Sequence, residues 1–311
     1  MTNVDAPAPP AGPEAINAVP LRHPWRWVGA GVILVLVALF LYGAATNPAY
    51  GWSTYGEYLF NERILLGVFN TLQLTIYSMV LGVVLGVIMS VMRLSPNPVF
   101  RSVAWVFLWI FRGTPVYVQL VFWGLIPTIY QNIQLGVPFG PSLFHLNLQS
   151  LSIPFVLAVV GLGLNEAAYM AEIIRAGITS VPEGQTEAST ALGMSWGMTM
   201  RRTVLPQAMR VIIPPTGNEV ISMLKTTSLV TAVPYSYDLY SIASREIAAR
   251  IFEPVPMLLV AATWYLVVTS ILMVGQYYLE KYFSRGISRR LTSKQLEALA
   301  KAQTTTDSGH V

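Results

Sequence analysis

The segment SVPEGQTEASTALGMSWGMTMRRTVLP, residues 180–206, decides how the rest of the chain is interpreted. It lies between two long apolar segments, yet it is itself too polar to cross a bilayer. In its first half, Glu183 and Glu187 fall on one face of a helix, while Ala188 and Leu192 fall on another. We therefore predict two short amphipathic helices here, of a kind that docks against another protein.

Capping residues place the ends of these two helices. Ser180, with Glu183 three residues later, matches a capping box at the start of the first helix. Gly193 is suited to end that helix in a left-handed conformation. Ser195 can begin the second helix, which Pro206 is expected to end. The two helices are therefore predicted to meet at Gly193.

The composition indicates a protein that crosses a membrane several times. The 311 residues are 54% hydrophobic and only 11% charged, with a mean hydropathy of +0.54. A soluble domain carries about 25% charged residues. The chain has no cysteine, which excludes a disulfide framework, a thiolate nucleophile and a cysteine metal site. The three histidines lie far apart in the sequence, so no metal site is predicted.

Six segments are long and apolar enough to predict transmembrane helices, in an all-α polytopic fold. Their ranges are 27–45, 64–92, 103–126, 153–178, 210–233 and 256–280. Gly82 and Gly86 permit close packing of the second helix, and Pro214 with Pro215 should kink or break the fifth. A cleaved signal peptide, ending near Ala45, is the alternative interpretation of the first segment. The long proline-rich tail before it favours an uncleaved anchor, which the mass of the mature subunit would test.

The distribution of basic residues predicts the orientation. The side that carries both termini and residues 180–206 holds fourteen of the 19 Lys and Arg residues, and the opposite side holds three. Basic residues are enriched in cytoplasmic loops. Both termini and residues 180–206 are therefore predicted to face the cytoplasm.

The segment 180–206 resembles the EAA loop of ABC importer permeases. The residues that carry the resemblance are Glu187, Ala188, Ser189, Gly193, Leu205 and Pro206. Ser189 stands where the family usually has a second alanine, and Thr203 where it usually has isoleucine. We expect these two departures to alter packing without loss of function.

Four flanking motifs narrow the resemblance to polar amino-acid permeases of the histidine/glutamine type. They are Asn70-Thr71-Leu72, Arg112-Gly113-Thr114-Pro115, residues 168–177 (AYMAEIIRAG) and residues 224–229 (LKTTSL). The resemblance covers roughly residues 64–283. It implies a five-helix core, so the first helix is an addition, and a location in the bacterial inner membrane.

The resemblance also implies partners. These are ABC ATPase subunits under the EAA loop, a second permease copy or a homologous permease, and an extracytoplasmic solute-binding protein. ATP and magnesium would bind the ATPase, so this chain needs no cofactor, and nucleic acid is not an expected partner. The residues implied in ATPase coupling are Glu183, Glu187, Ala188, Gly193, Leu205 and Pro206.

These expectations divide the chain into four parts. Residues 1–24 form a disordered cytoplasmic tail, because they contain six prolines and few large apolar residues. Residues 25–46 are the additional transmembrane helix. Residues 60–284 are the permease transmembrane domain, and residues 285–311 are a basic cytoplasmic tail.

The sequence lacks the common motifs of ATP-binding and hydrolytic enzymes. It has no phosphate-binding loop of the form G-x-x-x-x-G-K-[ST], and Gly161-x-Gly163 lacks the third glycine of a dinucleotide fingerprint. The chain is therefore predicted not to be an enzyme. Energy for transport must come from a partner subunit or from an ion gradient.

Polar residues inside the predicted helices are candidates for substrate contact. They are Lys225, Thr226, Glu166, Asn165 and Asn70. Lys225, with the hydroxyl groups that follow it, could hold the carboxylate of an amino acid. Glu166 and Asn165 could receive an amino group or a cationic side chain.

Structural roles are the alternative for the charged residues in these helices. Lys225 could instead form an ion pair with Glu219 or Glu172. Glu172 and Arg175 are expected to be structural, because an ion pair near the cytoplasmic end can be partly hydrated. Arg112 is expected to act in packing or as a gate.

Two other functions compete with the permease interpretation. The buried charges would suit a secondary transporter or channel driven by an ion gradient. A scaffolding membrane subunit is the third alternative, although polar groups inside the helices argue against it. Co-purification of an ATPase subunit would distinguish the permease from both.

Overall fold

The computed structural model describes residues 24–130, 132–136, 142–147 and 154–283. The predicted tails therefore lie outside the described residues, apart from Pro24. The described residues form two units, divided after Tyr50.

The first unit is a single apolar helix, α1 (Pro24–Thr46), followed by a 3-10 turn (Pro48–Tyr50). Twenty-three residues span about 35 Å, which exceeds the hydrocarbon thickness of a bilayer. The helix predicted over 27–45 is therefore confirmed, with a start three residues earlier.

The second unit contains the remaining helices and one hairpin. In chain order they are α2 (Trp52–Tyr58), α3 (Glu62–Leu94), α4 (Pro98–Gly113), α5 (Val116–Ile129), β1 (Asn132–Gly136), β2 (Ser142–Asn147), α6 (Pro154–Thr179), α7 (Glu183–Ala191), α8 (Trp196–Thr199), a π-helical turn (Met200–Val204), α9 (Leu205–Thr226), a 3-10 turn (Thr227–Ala232), α10 (Leu239–Ser241), a second π-helical turn (Ile242–Ile247), α11 (Ala248–Ile251) and α12 (Pro254–Phe283). Helices dominate, as predicted. The hairpin, an antiparallel pair with an irregular register after Leu135, was not predicted.

Helices α3 and α6 form the centre of the second unit, and two glycines let them approach closely. A β-carbon on Gly82 would lie 2.6 Å from Cγ of Glu166. A β-carbon on Gly86 would lie 2.6 Å from Cβ of Met170. Such distances are far below van der Waals contact, so only glycine fits. The predicted packing role of this glycine pair is confirmed.

The third predicted span, 103–126, is wrong as a continuous helix. It consists of α4 and α5, which meet at an angle of 107°. Thr114 and Pro115 are both extended at the break. The reason is that a proline forces the preceding residue out of the helical region and lacks a donor of its own.

The count of membrane-spanning helices is also changed. Within the described residues, α1, α3, α6 and α12 are long and apolar enough to cross a membrane, and the bent pair α4–α5 makes a fifth. The fifth predicted span, 210–233, corresponds to α9, whose composition is not apolar enough to pass the same test.

Helix α9 differs from prediction at Pro206, and it is not broken at Pro214 and Pro215. Pro206 does not end the second short helix; it lies in the first turn of α9, where a missing N–H costs nothing. Pro214 and Pro215 lie inside α9 without breaking it. The side chain of Gln276 from α12 donates to the carbonyl oxygen of Pro214 at 2.7 Å and so braces this turn.

The segment before α12 is helical from Leu239 to Ile251, and it begins next to a buried acid, Asp238. The carboxylate of Asp238 is inaccessible to solvent and accepts the N–H of Ser241 at 3.1 Å. Burial raises the pKa of the Asp238 carboxyl above its ordinary value. Further along, Glu246 forms an ion pair with Arg63 at the start of α3, which ties this segment to the bundle.

Candidate functional site

A cavity of about 540 Å³ lies where the α4–α5 break faces α6 and α9. We call it the central cavity. Its lining consists of Arg112, Gly113, Thr114, Pro115, Val116, Leu162, Asn165, Glu166, Tyr169, Glu219, Ser222, Met223 and Thr226. The arginine–glycine–threonine–proline motif and three of the five predicted substrate residues therefore meet in one place.

Side-chain amides hold the broken span that forms one wall of this cavity. Asn165 donates to the carbonyl oxygen of Phe111 and to Oε1 of Gln119, both at 3.0 Å. Gln119 donates to the carbonyl oxygen of Thr114 at 3.0 Å and to its Oγ1 at 2.7 Å. These bonds satisfy backbone groups that the break frees. The Nδ2 group of Asn165 is therefore committed to the wall, and only its Oδ1 could receive an amino group of a ligand.

Two carboxylates face the central cavity. Glu166 on α6 is 4% exposed, and its Oε1 has no hydrogen-bond partner among the described residues. Glu219 on α9 lines the same cavity. A buried carboxylate without a partner is costly unless it meets a cation or a proton. A cation or a proton could therefore balance the two carboxylates of this cavity.

Glu219 was predicted only as an ion-pair partner of Lys225, and its place in the central cavity was not predicted. The signal was present in the helical spacing. Three other lining residues lie three, four and seven positions after Glu219, namely Ser222, Met223 and Thr226. This spacing places all four on one face of α9.

Arg112 is the one cation among the described residues that line the central cavity. Its guanidinium group lies 5.6 Å from the ring centroid of Tyr169, at a cation–π distance. The side chain is exposed at the end of α4 and not deep in a continuous span, as the prediction of a helix over 103–126 implied. Its position at the cavity rim is consistent with the expected packing or gating role.

Two predicted substrate residues do not reach the central cavity. Asn70 donates to the carbonyl oxygen of Tyr237 at 2.9 Å and ties α3 to the segment before α10. Lys225 is exposed and lines a second cavity of about 380 Å³ together with Gln276 and Glu280. The side chain of Thr226, the next residue, is offset from that of Lys225 by about 100° around the helix, and it lines the central cavity.

The hydroxyl groups after Lys225 are already used. Thr226 donates to the carbonyl oxygen of Ser222 at 3.0 Å, and Ser228 donates to that of Lys225 at 2.8 Å. In the described part of the chain, Lys225 forms no salt bridge with Glu219 or Glu172, so the alternative ion pair is not observed.

Glu172 and Arg175 form the ion pair that was expected of them. Arg175 Nε donates to Oε2 of Glu172 at 3.0 Å, and a second contact joins Nη2 to Oε1. Both residues lie in the last turns of α6, and each is about one-third exposed. The pair therefore links neighbouring turns of one helix near its end.

The loop between α6 and α9 contains the predicted turn at Gly193. Gly193 has a φ of +76°, in the left-handed region. Its N–H donates to the carbonyl oxygen of Thr190 at 2.9 Å, and the N–H of Met194 donates to that of Ser189 at 3.1 Å. This pair of bonds is the Schellman arrangement that closes a helix C-terminus.

The predicted capping box is wrong. Pro182 occupies the capping position of α7, and the hydroxyl group of Ser180 donates back to the carbonyl oxygen of Gly177 at 2.7 Å. Ser180 completes the end of α6 and does not begin α7. Ser195 does precede α8, but its hydroxyl group makes no capping bond.

The two departures from the EAA pattern lie against each other. Ser189 on α7 is buried, and its hydroxyl group lies 2.9 Å from the hydroxyl group of Thr203 in the π-helical turn. A hydrogen bond therefore joins α7 to the π-helical turn. Alanine and isoleucine at these two positions would make an apolar contact instead.

The outer surface of the loop is open. All six predicted coupling residues are exposed. Two large apolar side chains, Leu192 and Trp196, are 82% and 76% exposed at the turn between the arms. Exposed apolar side chains next to acidic residues on a short rigid loop suit a protein partner.

Comparison with known proteins gives consistent matches. Residues 82–285 match the model of the family described as binding-protein-dependent transport system inner membrane component. The arginine transport system permease protein ArgU of Corynebacterium glutamicum is 65% identical over 94% of this chain and 91% of its own length. The histidine/lysine/arginine/ornithine transport system permease protein HisM of Escherichia coli is 39% identical over 67% of this chain and 83% of its own.

A solved structure extends the likeness to three dimensions. It is described as an amino acid ABC transporter with histidines, and the match covers 71% of this chain and 94% of that one. The TM-score is 0.59 at 31% sequence identity.

Proposed function

Since this chain belongs to the family of binding-protein-dependent transport system inner membrane components, we propose that the amino acid it carries is cationic, with arginine as the first candidate. The chain is a permease subunit of an amino-acid ABC importer and not itself an enzyme, because ATPase activity lies in a separate subunit. The family match and the permease relatives confirm the family and the function predicted from the EAA loop. They do not support the alternatives of an ion-gradient transporter or a scaffolding subunit.

The observation that carries the proposal is the pair of carboxylates in the central cavity. Glu166 is buried, and one of its oxygens has no hydrogen-bond partner among the described residues. Glu219 lines the same cavity. A guanidinium group offers donors in a planar fork that matches carboxylate oxygens. The relatives whose names specify arginine or other basic amino acids agree with this chemistry.

Arg112 supplies the second half of the recognition. Its guanidinium group lies at the rim of the same cavity, held over Tyr169. In our proposal the α-carboxylate of the substrate points toward Arg112, while the cationic side chain points toward Glu166. The cavity, at about 540 Å³, is large enough for one amino acid.

The loop with Gly193 is the proposed contact with the ATPase subunits. Glu183, Glu187 and Ala188 present the exposed side of α7, and Leu205 with Pro206 presents the start of α9. ATP and magnesium would bind the partner and not this chain.

Further parts of the assembly are also proposals. A second permease, identical or homologous, would complete the membrane part, and a solute-binding protein would deliver the amino acid on the other side. The protein is an inner-membrane permease. We propose that both termini face the cytoplasm, on the basis of the Lys and Arg distribution.

The test is discrimination between arginine and its uncharged isostere citrulline. The complete complex with its solute-binding protein is reconstituted in vesicles, and uptake of each amino acid is measured at saturating binding protein. We expect Glu166→Gln to reduce the preference for arginine roughly tenfold to a hundredfold, since a hydrogen bond to a charged group contributes about 1.5–3 kcal/mol. Glu57→Gln, an exposed residue on α2, is the matched control. Unchanged preference in Glu166→Gln would contradict the proposal.

A further inference from the structure

We propose that an anionic phospholipid of the cytoplasmic leaflet binds in a second groove beside the central cavity, held by Arg93 and Arg112. This inference rests on the proposed orientation of the chain. The groove, which we call the lateral groove, has a volume of about 440 Å³. It is lined by Arg93, Trp105, Leu108, Trp109, Arg112, Gly113 and Glu172.

The lateral groove carries unbalanced positive charge. Its lining contains two guanidinium groups and one carboxylate, that of Glu172. Both oxygens of this carboxylate already contact Arg175. Within the described ranges, neither Arg93 nor Arg112 forms a salt bridge. Among the lining residues, no free carboxylate therefore remains for these two arginines, and guanidinium groups bind phosphate through paired N–H donors.

The depth of the lateral groove matches the head-group region of a bilayer. Gly86 on α3 is level with Met170 on α6, because a β-carbon on the glycine would lie 2.6 Å from Cβ of Met170. Arg93 lies seven residues beyond Gly86, which is about 10 Å further along the helix. Glu172 lies seven residues before the end of α6, again about 10 Å from that end. The groove thus occupies the last turns of both helices, on the side of the EAA loop.

Helix α4 has the character of a helix that lies in the membrane interface. It begins four residues after α3 ends, yet Arg112 near its far end lines the same groove as Arg93. Trp105 and Trp109 are 50% and 64% exposed, and their rings are parallel within 4° at a centroid distance of 6.1 Å. Tryptophan and arginine are the side chains that sit at this level of a bilayer.

These features together select a lipid over a free anion. A phosphate head group would meet the two guanidinium groups, and the acyl chains would extend past the exposed tryptophan rings. A zwitterionic lipid brings its own ammonium group into a site that is already cationic, so the anionic head group is favoured. Arg112 lines both the lateral groove and the central cavity. Lipid binding therefore positions a residue of the transport site.

Native mass spectrometry of the complete complex tests the proposal. The delipidated complex is titrated with phosphatidylglycerol, phosphatidylcholine and inorganic phosphate in separate experiments. We expect the wild-type protein to retain phosphatidylglycerol in preference to phosphatidylcholine. Arg93→Gln should weaken that binding roughly fivefold, since one basic residue near an anionic membrane contributes about 1 kcal/mol. Arg101→Gln is the matched control, because Arg101 is an exposed arginine in the same region that does not line the groove.

Two further measurements keep the proposal falsifiable. If Arg93→Gln fails to assemble with the ATPase on gel filtration, Trp109→Ala takes its place, and the same loss of phosphatidylglycerol binding is expected. Transport by the wild-type complex should rise with the phosphatidylglycerol content of the vesicles, and this rise should be flatter in Arg93→Gln. Equal binding of the two lipids, or displacement of lipid by inorganic phosphate, would overturn the proposal. Because lipid binding is measured without amino acid, its failure leaves the arginine proposal standing, and the reverse also holds.

Discussion

Substitution of Gly193 tests whether backbone geometry in the loop between α6 and α9 couples the permease to its ATPase. The residue has a φ of +76°, and a β-carbon placed on it would meet nothing within 4 Å. The cost of a side chain there is therefore purely conformational. For an ordinary residue that cost is about 1–2 kcal/mol. At 1 kcal/mol the native loop conformation loses roughly fivefold in relative population.

Three variants separate conformation from side-chain bulk. Gly193→Asn adds a side chain that tolerates the left-handed region. Gly193→Ala adds the smallest side chain that does not, and Gly193→Val adds a β-branched one for which this region is an outlier. We expect association with the ATPase and substrate-stimulated hydrolysis to decline in the order glycine, asparagine, alanine, valine. Insertion into the membrane should be unchanged, because the loop lies outside the apolar spans.

The measurements are pull-down of the ATPase by tagged permease and stimulated ATP hydrolysis in reconstituted vesicles. Glu187→Ala, on the exposed side of α7, is measured alongside as a change of side chain without backbone strain. If Gly193→Val equals Gly193→Asn in both assays, the left-handed turn is not what matters. If Gly193→Val and Glu187→Ala both keep full activity, the loop is not the coupling element.

Three further predictions concern other parts of the structure. A double-mutant cycle of Ser189→Ala and Thr203→Val should give a coupling energy of about 1 kcal/mol in thermal unfolding of the purified complex, and additivity would contradict the hydrogen bond. Because burial raises the pKa of Asp238, its folded state binds the proton more tightly than the unfolded state, so this group's contribution to stability is lost as pH rises from about 4 through the folded pKa. Asp238→Asn should flatten that decline in melting temperature, and an unchanged profile would refute it. A single cysteine introduced by Thr186→Cys in this cysteine-free chain should react with an impermeant maleimide only from the cytoplasmic side. Labelling from the outside would contradict the predicted orientation.

The features predicted well from the sequence depend on local chemistry. Gly193 ends α7 as expected because a left-handed C-terminus is a property of a few adjacent residues. The Gly82 and Gly86 pair was assigned correctly for the same reason, since spacing along one helix places both on one face. The family followed from several ordered motifs together.

The features predicted poorly depend on contacts between distant residues. Asn165 and Asn70 were candidates for ligand contact, and the sequence does not reveal that the Nδ2 group of each donates to a backbone carbonyl of another segment. Lys225 and Thr226 were treated as one group, yet adjacent helical residues point to different cavities. Pro115 indicates a break at Thr114. The apolar character of the sequence continues across this position, however, and the span 103–126 was predicted from that character.

The continuity of α8, the π-helical turn and α9 has a mechanical consequence. From Trp196 to Thr226 the backbone is helical throughout, so the loop surface and the wall of the central cavity belong to one rod about 46 Å long. A displacement at the Trp196 end is transmitted to the Thr226 end without passing through a flexible linker. Pro214 and Pro215 lack two backbone donors and so weaken one turn of the rod. Gln276 donates to the carbonyl oxygen of Pro214 in that turn, so loss of this bond would favour bending in the middle of the rod over tilting of the whole rod.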